Sequence, residues 1–327
     1  MRYPAAVPLV PSPALRPHLR PTTVVHAPRL ARHLGVDLFL VTETFQETGS
    51  FKFRAGANVA LSVPHPVVVT ASSGNFGQAL AAGCALAGKR AIVVMPESSA
   101  RVKIEAVRAR GAEVVFVDTR VRTRASRAAE VMSAHPEAYL ASAYDDDLVI
   151  AGNSTLGEEL AALAAPFDTV IAPVGGGGLT AGIATGLART GHPAALWGAE
   201  PQLANDAARS LAAGRLIAAA TEAPTLADGA RTLSLGRRNW ELLREALAGI
   251  VEVPEAAIAE AVGLLFHLAN LKAEPTGALA VGALLARPEP FRGRRVGVVI
   301  SGGNVDPALY CRLLAPEAAD ANGRTAS

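Results

Sequence analysis

The feature that most constrains the fold of this chain is a rhythm. Short runs of β-branched and apolar residues alternate with alanine- and leucine-rich stretches of helical spacing. Val67–Thr70 precedes a helical pattern from Asn75 to Ala87. Ala91–Met95 precedes another from about Ser99 to Arg110, and Glu113–Val117 follows with a helix after it. Thr169–Val174, Leu196–Ala199, Ile250–Val253 and Arg295–Ile300 continue the series. Strands that are apolar along their whole length are buried on both faces, and strands that alternate with helices form parallel sheets covered by helices. A length of 327 residues leaves room for two such units. The expectation is an α/β fold of parallel sheets covered by helices, either in two lobes or as one large domain.

Composition narrows the function classes. The chain is 50% hydrophobic and 18% charged with a net charge of +2, so it reads as a soluble globular protein with no affinity for nucleic acid or an anionic membrane. Prolines at 4, 8, 11, 13, 17 and 21 break the first residues, which argues against a signal peptide and predicts an extended arm lying on the body of the protein. The small polar residues from about Pro316 read as a frayed end. Cys84 and Cys311, in apolar helical patterns, read as buried free thiols of a reducing cytoplasm. Arg120, Arg122, Arg124 and Arg127 read as a solvated helix face, with recognition of an anionic substrate as the alternative.

Chemistry in parallel sheets gathers at the carboxyl ends of strands, and four loops there have unusual content. After Val67–Thr70 comes Ser72-Ser73-Gly74-Asn75 at a helix start, either an ordinary cap or an anion site made of backbone N–H groups, hydroxyls and an amide. After Thr169–Val174 come four glycines, Gly175 to Gly178, a loop able to wrap a phosphate. It also fits a dinucleotide fingerprint, Gly176-x-Gly178-x-x-Ala181 with Glu200 as a ribose carboxylate. After Arg295–Ile300 comes Ser301, which could cap a helix or meet a ring nitrogen. Glu200 and Asp206 flank a turn, either as ligands for a hard cation or as solvent-facing carboxylates.

Lys52 lies between two phenylalanines in “GSFKFR” and is one of four lysines in a chain whose cations are otherwise arginine. Burial among apolar groups lowers a lysine's pKa, and only lysine offers an amine that can form and exchange an imine. One cofactor uses the lysine, the phosphate loop and a hydroxyl for a pyridine nitrogen: pyridoxal 5′-phosphate.

Seven motifs in order carry a family resemblance: “ETGSFKFR” (Glu47–Arg54), “SSGNFGQA” (Ser72–Ala79), “VGGGGLTAG” (Val174–Gly182), “AEPQLAND” (Ala199–Asp206), “LADG” (Leu226–Gly229), “AEPTGA” (Ala273–Ala278) and “SGGNVD” (Ser301–Asp306). Together they resemble the serine/threonine dehydratase and serine racemase family of pyridoxal-phosphate enzymes, of the tryptophan-synthase-β type (PLP fold type II). The resemblance implies the two-lobed form, with a large cofactor-binding domain of residues 1–56 plus 145–327 and a small domain of residues 57–144. It implies that Lys52 is the Schiff-base lysine and that Phe51 packs on the ring. It gives Asn75 the ring hydroxyl, Gly175 to Gly178 with Leu179 the phosphate, and Ser301 the pyridine nitrogen. Ser72, Ser73, Gly74, Asn75, Phe76 and Gly229 would line the substrate, with Ser73 also acting on the face of Cα opposite the lysine. Glu200, the carbonyl of Ala204 and Asp206 would hold Mg²⁺ or Ca²⁺.

The activity so implied is loss of ammonia from a β-hydroxy amino acid such as L-threonine or L-serine, in a cytoplasmic homodimer whose other partner is the small amino acid itself. A racemase, a 3-hydroxyaspartate dehydratase and a non-catalytic nucleotide-binding protein are the alternatives. Three departures from the family pattern stand out: Phe76 where many members have His, the extra Ala in “FRAGA”, and “SAYDDDLVIAGN” (Ser142–Asn153), which ends in Asn153 where Gln is commoner. The last speaks against a nucleotide-effector site.

Overall fold

In the computed structural model, which describes residues 9–72, 74–99 and 101–315, the strands fall into two sheets. The larger has six strands: β1 (Thr23–His26), β2 (Asp37–Thr42), β7 (Thr169–Pro173), β8 (Ala195–Pro201), β9 (Leu247–Val253) and β10 (Arg295–Ile300), ordered β1-β2-β10-β7-β8-β9. The smaller has four: β3 (Val67–Ala71), β4 (Arg90–Pro96), β5 (Glu113–Val117) and β6 (Ala138–Ala141), ordered β5-β4-β3-β6. Every pairing is parallel except β1 with β2 at one edge.

All seven apolar runs form strands; β3, β7 and β10 are interior and buried along nearly their whole length, whereas β5 and β9 lie at sheet edges and are only partly buried. Three strands have no counterpart in the apolar rhythm. β1 and β6 are only four residues long, and β2 follows directly on the short helix α1 (Pro28–Leu34). Their pairing comes from neighbours far along the chain, which local pattern does not contain.

Helices α2 (Lys52–Ser62), α3 (Asn75–Leu86), α6 (Asp147–Ala161) and α7 (Gly178–Thr190) pack at backbone distance. A Cβ at Gly83 would meet Ala57 Cα at 2.7 Å, and one at Gly157 would meet Gly186 Cα at 2.9 Å. Helices in such contact cannot slide independently, so the start of α2, where Lys52 stands, has a rigid address. The segment around Ser12 and Leu15 lies against α2: Leu15 is buried with Phe53, Ala57 and Ala82, and the Ser12 N–H donates to Asn58 Oδ1 at 2.8 Å. Pro4, Pro8 and the tail from Pro316 lie outside the described residues.

Two expectations are corrected. The arginine run is not one helix face: α5 (Arg124–Ala134) begins only after Thr123, whose hydroxyl accepts from the Ser126 N–H and so sets the start. Arg120 pairs with Asp118 in the turn before it, Arg122 and Arg127 share Glu130, and Arg124 reaches Glu222. Cys84 is buried, and burial pushes its thiol up to about 12. Cys311 is exposed, because α12 (Pro307–Leu314) buries no residue fully. Among the described residues no helix is long and apolar enough to cross a membrane.

Candidate active site

The register of β10 on β2 sets Ile300 beside Thr42, so the loops that leave the two strands meet at once. The Phe51 N–H donates to the carbonyl of Ser301 at 2.9 Å, and Ser50 bridges Gly302. Lys52 follows as the first residue of α2. Its Nζ donates to the carbonyl of Ala143 at 2.7 Å and lies 5.0 Å from the Phe51 ring and 5.6 Å from that of Phe76. Burial lowers its pKa from 10.5 to about 8, against the opposing pull of Glu274. The other end of the Lys52 neighbourhood is therefore built by β6, since Ala143 follows that strand.

Tyr144, next in the chain, covers the glycine loop. A Cβ at Gly176 would land in the Tyr144 ring, and one at Gly178 would meet the Tyr144 carbonyl at 2.9 Å. Gly177 has φ +89°, a conformation that L side chains avoid, and offers the following helix no side-chain cap. Two buried amides hold the loop from behind. Asn239 Nδ2 donates to the Gly176 carbonyl at 2.6 Å, and Asn153 Nδ2 donates to the Gly178 carbonyl at 3.0 Å. With these carbonyls held, N–H groups at the start of α7 remain for an anion. The Asn153 departure thus has a local task. A cradle closed to any Cβ at Gly176, beside a buried amine of lowered pKa, fits a phosphate-bearing aldehyde cofactor.

The start of α3 has a similar opening. Gly74 is its N-cap and makes no side-chain cap, so the cap reading of Ser72-Ser73-Gly74-Asn75 is not what forms. The Gly74 N–H reaches Ser72 Oγ at 3.4 Å, and nothing surrounds the position of a Gly74 Cβ. Ser73 lies outside the described residues. Asn75 Nδ2 donates to Glu274 Oε1 at 2.8 Å. Phe76 is buried in the core of the four-stranded sheet with Leu80, Val93 and Met95. Gly229 closes the other side: its N–H donates to Thr276 Oγ1 at 2.9 Å, and the adjoining Ala230 packs on Gly175. Leu179 and Ser301 are both buried. Contacts thus link Lys52 and Phe51 to Ser301 and to the segment Ala143–Tyr144 that covers the glycine loop, and link that loop through Ala230 to Gly229.

Glu200 and Asp206 are both buried, which corrects the solvent-facing reading. Glu200 accepts from the N–H groups of Ala207 at 2.9 Å and Ala208 at 2.8 Å, capping α8 (Asp206–Ala213). A carboxylate so placed is closed to ribose hydroxyls, which removes the dinucleotide reading. Burial raises Glu200 well above the usual carboxylate range and Asp206 to about 6. Asp206 Oδ2 has no hydrogen-bond partner. Among the described residues no group of three His, Cys, Asp or Glu side chains gathers to hold a metal.

Sequence reading missed Glu274, Asn239, Asn304 and Lys103. Glu274 is buried, and its burial and the nearby Asp228 raise its carboxyl to about 8, while Asn75, Lys103 and Lys52 pull it down. It sits inside a motif, “AEPTGA”, that gives no hint of which residue faces the site. Lys103 Nζ pairs with Asp228 Oδ2 at 2.9 Å, beside Gly229.

Gly176→Ala should weaken pyridoxal-phosphate affinity at least about 100-fold, since the Tyr144 ring that covers the loop must shift. Equilibrium dialysis measures it, and an affinity within about threefold of the parent would show that Tyr144 simply moves aside.

Residues 15–302 match the model of a family described as pyridoxal-phosphate dependent enzyme. An L-threo-3-hydroxyaspartate ammonia-lyase from Pseudomonas sp is 34% identical over 297 residues, 90% of this chain and 92% of the relative. A serine racemase from Arabidopsis thaliana is 31% identical over 301 residues, 89% of this chain and 90% of the relative. The crystal structure of a threonine deaminase from T.th. superposes with a TM-score of 0.85 at 39% identity, covering 89% of this chain and 95% of that one.

Proposed function

The chain belongs to the family of pyridoxal-phosphate-dependent enzymes, and from that membership we propose that it is an ammonia-lyase acting on a β-hydroxy amino acid, L-threonine or L-serine in the first place. Its fold is the tryptophan-synthase-β type, PLP fold type II. The observation that carries the proposal is the buried Lys52 amine, held by the Ala143 carbonyl between two aromatic rings.

Under this reading Lys52 holds the cofactor covalently, Gly175 to Gly178 with Leu179 hold its phosphate, Asn75 meets the ring hydroxyl and Ser301 meets the pyridine nitrogen. When bound, the cofactor supplies an electron sink for charge left at the substrate's Cα. The chain supplies the rest. Lys52 Nζ moves the proton at Cα, the task of a general base of pKa near the working pH. Ser72, Gly74 and the open N-terminus of α3 orient the substrate carboxylate, and Phe51 and Phe76 exclude water from Nζ. Ser73 keeps its proposed place on the opposite face of Cα. Departure of the β-hydroxyl leaves an enamine that water converts to a 2-oxo acid and ammonia.

Lys103 favours a second reading. A cation beside Gly229, close enough to Glu274 to lower its pKa, suits a substrate with a second carboxylate. The Pseudomonas relative is named for such a compound, 3-hydroxyaspartate. Ammonia release and chiral product analysis over serine, threonine and 3-hydroxyaspartate isomers test both readings. No ammonia from any of them, or racemisation faster than ammonia release, would remove the lyase assignment. The proposed seat of a divalent cation is Glu200, the Ala204 carbonyl and Asp206; activity unchanged by thorough chelation would dismiss it.

The lowered lysine pKa has a direct consequence. Only the neutral amine attacks the aldehyde, so cofactor loading should quicken about tenfold per pH unit below pH 8 and level off above it. Stopped-flow absorbance follows the loading. A rate still climbing towards pH 10 would mean that the amine keeps its ordinary affinity for protons.

A further inference from the structure

A chain of hydrogen bonds reaches Asn75 from the six-stranded sheet. Asn304 Nδ2 donates to the carbonyl of Thr48 at 2.7 Å and to Asn75 Oδ1 at 2.8 Å. Asn75 Nδ2 then donates to Glu274 Oε1 at 2.8 Å. The order is forced. The Thr48 carbonyl can only accept, so Asn304 presents its NH₂ group; that makes Asn75 Oδ1 an acceptor and turns the Asn75 NH₂ towards Glu274. A carboxyl accepts there in either protonation state. One N–H of the Asn75 amide is used in this way, and the second is left over.

Glu274 is itself held in place. It stands at the N-cap position of α11 (Pro275–Ala286) without a side-chain cap bond, its backbone N–H donates to the Gly302 carbonyl at 3.1 Å, and a Cβ at Gly302 would land on its Oε1. Thr48, Glu274 and Asn304 flank the loop that carries Lys52, whereas Asn75 begins a helix that follows a strand of the four-stranded sheet.

We propose that Glu274, with Asn304, is a positioning residue for the cofactor: it locks the Asn75 amide so that the second N–H is presented to the ring oxygen of pyridoxal phosphate. The proposal rests on the role given to Asn75 above. It makes cofactor binding and the seating of α3 against the six-stranded sheet one event, because the same amide serves both. It also separates two ways in which Glu274 could act. A positioning residue acts by accepting a hydrogen bond, which glutamine also does. A group acting through its charge on Lys52 would not tolerate glutamine.

The test is pyridoxal-phosphate affinity of the full chain, by equilibrium dialysis and by the visible band of lysine-bound cofactor. Glu274→Ala and Asn304→Ala should each weaken binding about tenfold or more, and Glu274→Gln should stay within about threefold of the parent. In an Asn75→Ala background, Glu274→Ala should add less than about twofold, since its route is already cut. Thermal unfolding of each variant identifies any that fail to fold, and the Asn304 variant then carries the comparison. Full additivity with Asn75→Ala, a Glu274→Gln as weak as Glu274→Ala, or unchanged binding in the alanine variants would each overturn the proposal. A parent protein that forms no visible band would instead defeat the cofactor reading itself.

Discussion

Lys52→Ala should develop no lysine-bound cofactor band on addition of pyridoxal phosphate and should release ammonia at least about 10⁴-fold more slowly than the parent. Two losses combine. The covalent anchor disappears, and so does the base proposed to move the Cα proton. The surroundings of Nζ make substitution by another residue fruitless: arginine stays protonated and forms no imine, so Lys52→Arg should be as inactive as Lys52→Ala. An absorption scan near roughly 410–420 nm, where lysine-bound cofactor absorbs, and an ammonia assay check both variants. A visible band that persists in Lys52→Ala would move the anchor to another amine and remove the assignment of this site.

The second large effect is on stability and lies two residues further along α2. Arg54 is wholly buried, and its guanidinium is bidentate on the equally buried Glu43, with Nε–Oε2 at 2.7 Å and Nη2–Oε1 at 2.9 Å. It also meets Glu159 Oε1 at 2.6 Å and Thr155 Oγ1 at 3.0 Å. Arg54→Ala leaves the buried Glu43 carboxylate without its main partner, and should lower unfolding stability by about 3–5 kcal/mol. Urea denaturation followed by circular dichroism measures it. The cause is the stranded charge rather than the missing attraction, so Arg54→Met with Glu43→Leu should recover most of the loss. Equal instability of the single and double variants would place the cost in packing instead. Because α2 begins with Lys52, the cluster also keeps the amine at its address.

Much of the site was legible in residue types. A lone lysine between aromatics, four consecutive glycines at a strand end and Ser301 after an apolar run each carry a chemical requirement that few residues satisfy. Five of the six interior strands, β3, β4, β7, β8 and β10, were legible too, because burial on both faces writes an apolar run; the interior β2 was not read, and the runs of β5 and β9 turned out to be edge strands. Residues that act through neighbours left no such mark. Nothing local singles out Glu274 within “AEPTGA”, or Asn239 within “GRRNWE”, since each does its work on a backbone or amide distant in sequence. The arginine run misled for a related reason: spacing cannot show that Thr123 caps the helix and leaves Arg120 and Arg122 outside it. The short strands β1 and β6 were invisible because their partners, not their own residues, make them strands.

By itself, then, the sequence determined the class of fold and the kind of chemistry, since hydrophobic periodicity and the reactivity of an amine are properties of residues in order. Only the tertiary structure decided how the Lys52 amine is buried, which carbonyls of the glycine loop are held back, and that Asn75 is oriented from the six-stranded sheet. Those depend on groups brought within about 3 Å from far along the chain, where desolvation and hydrogen-bond direction act and sequence distance does not.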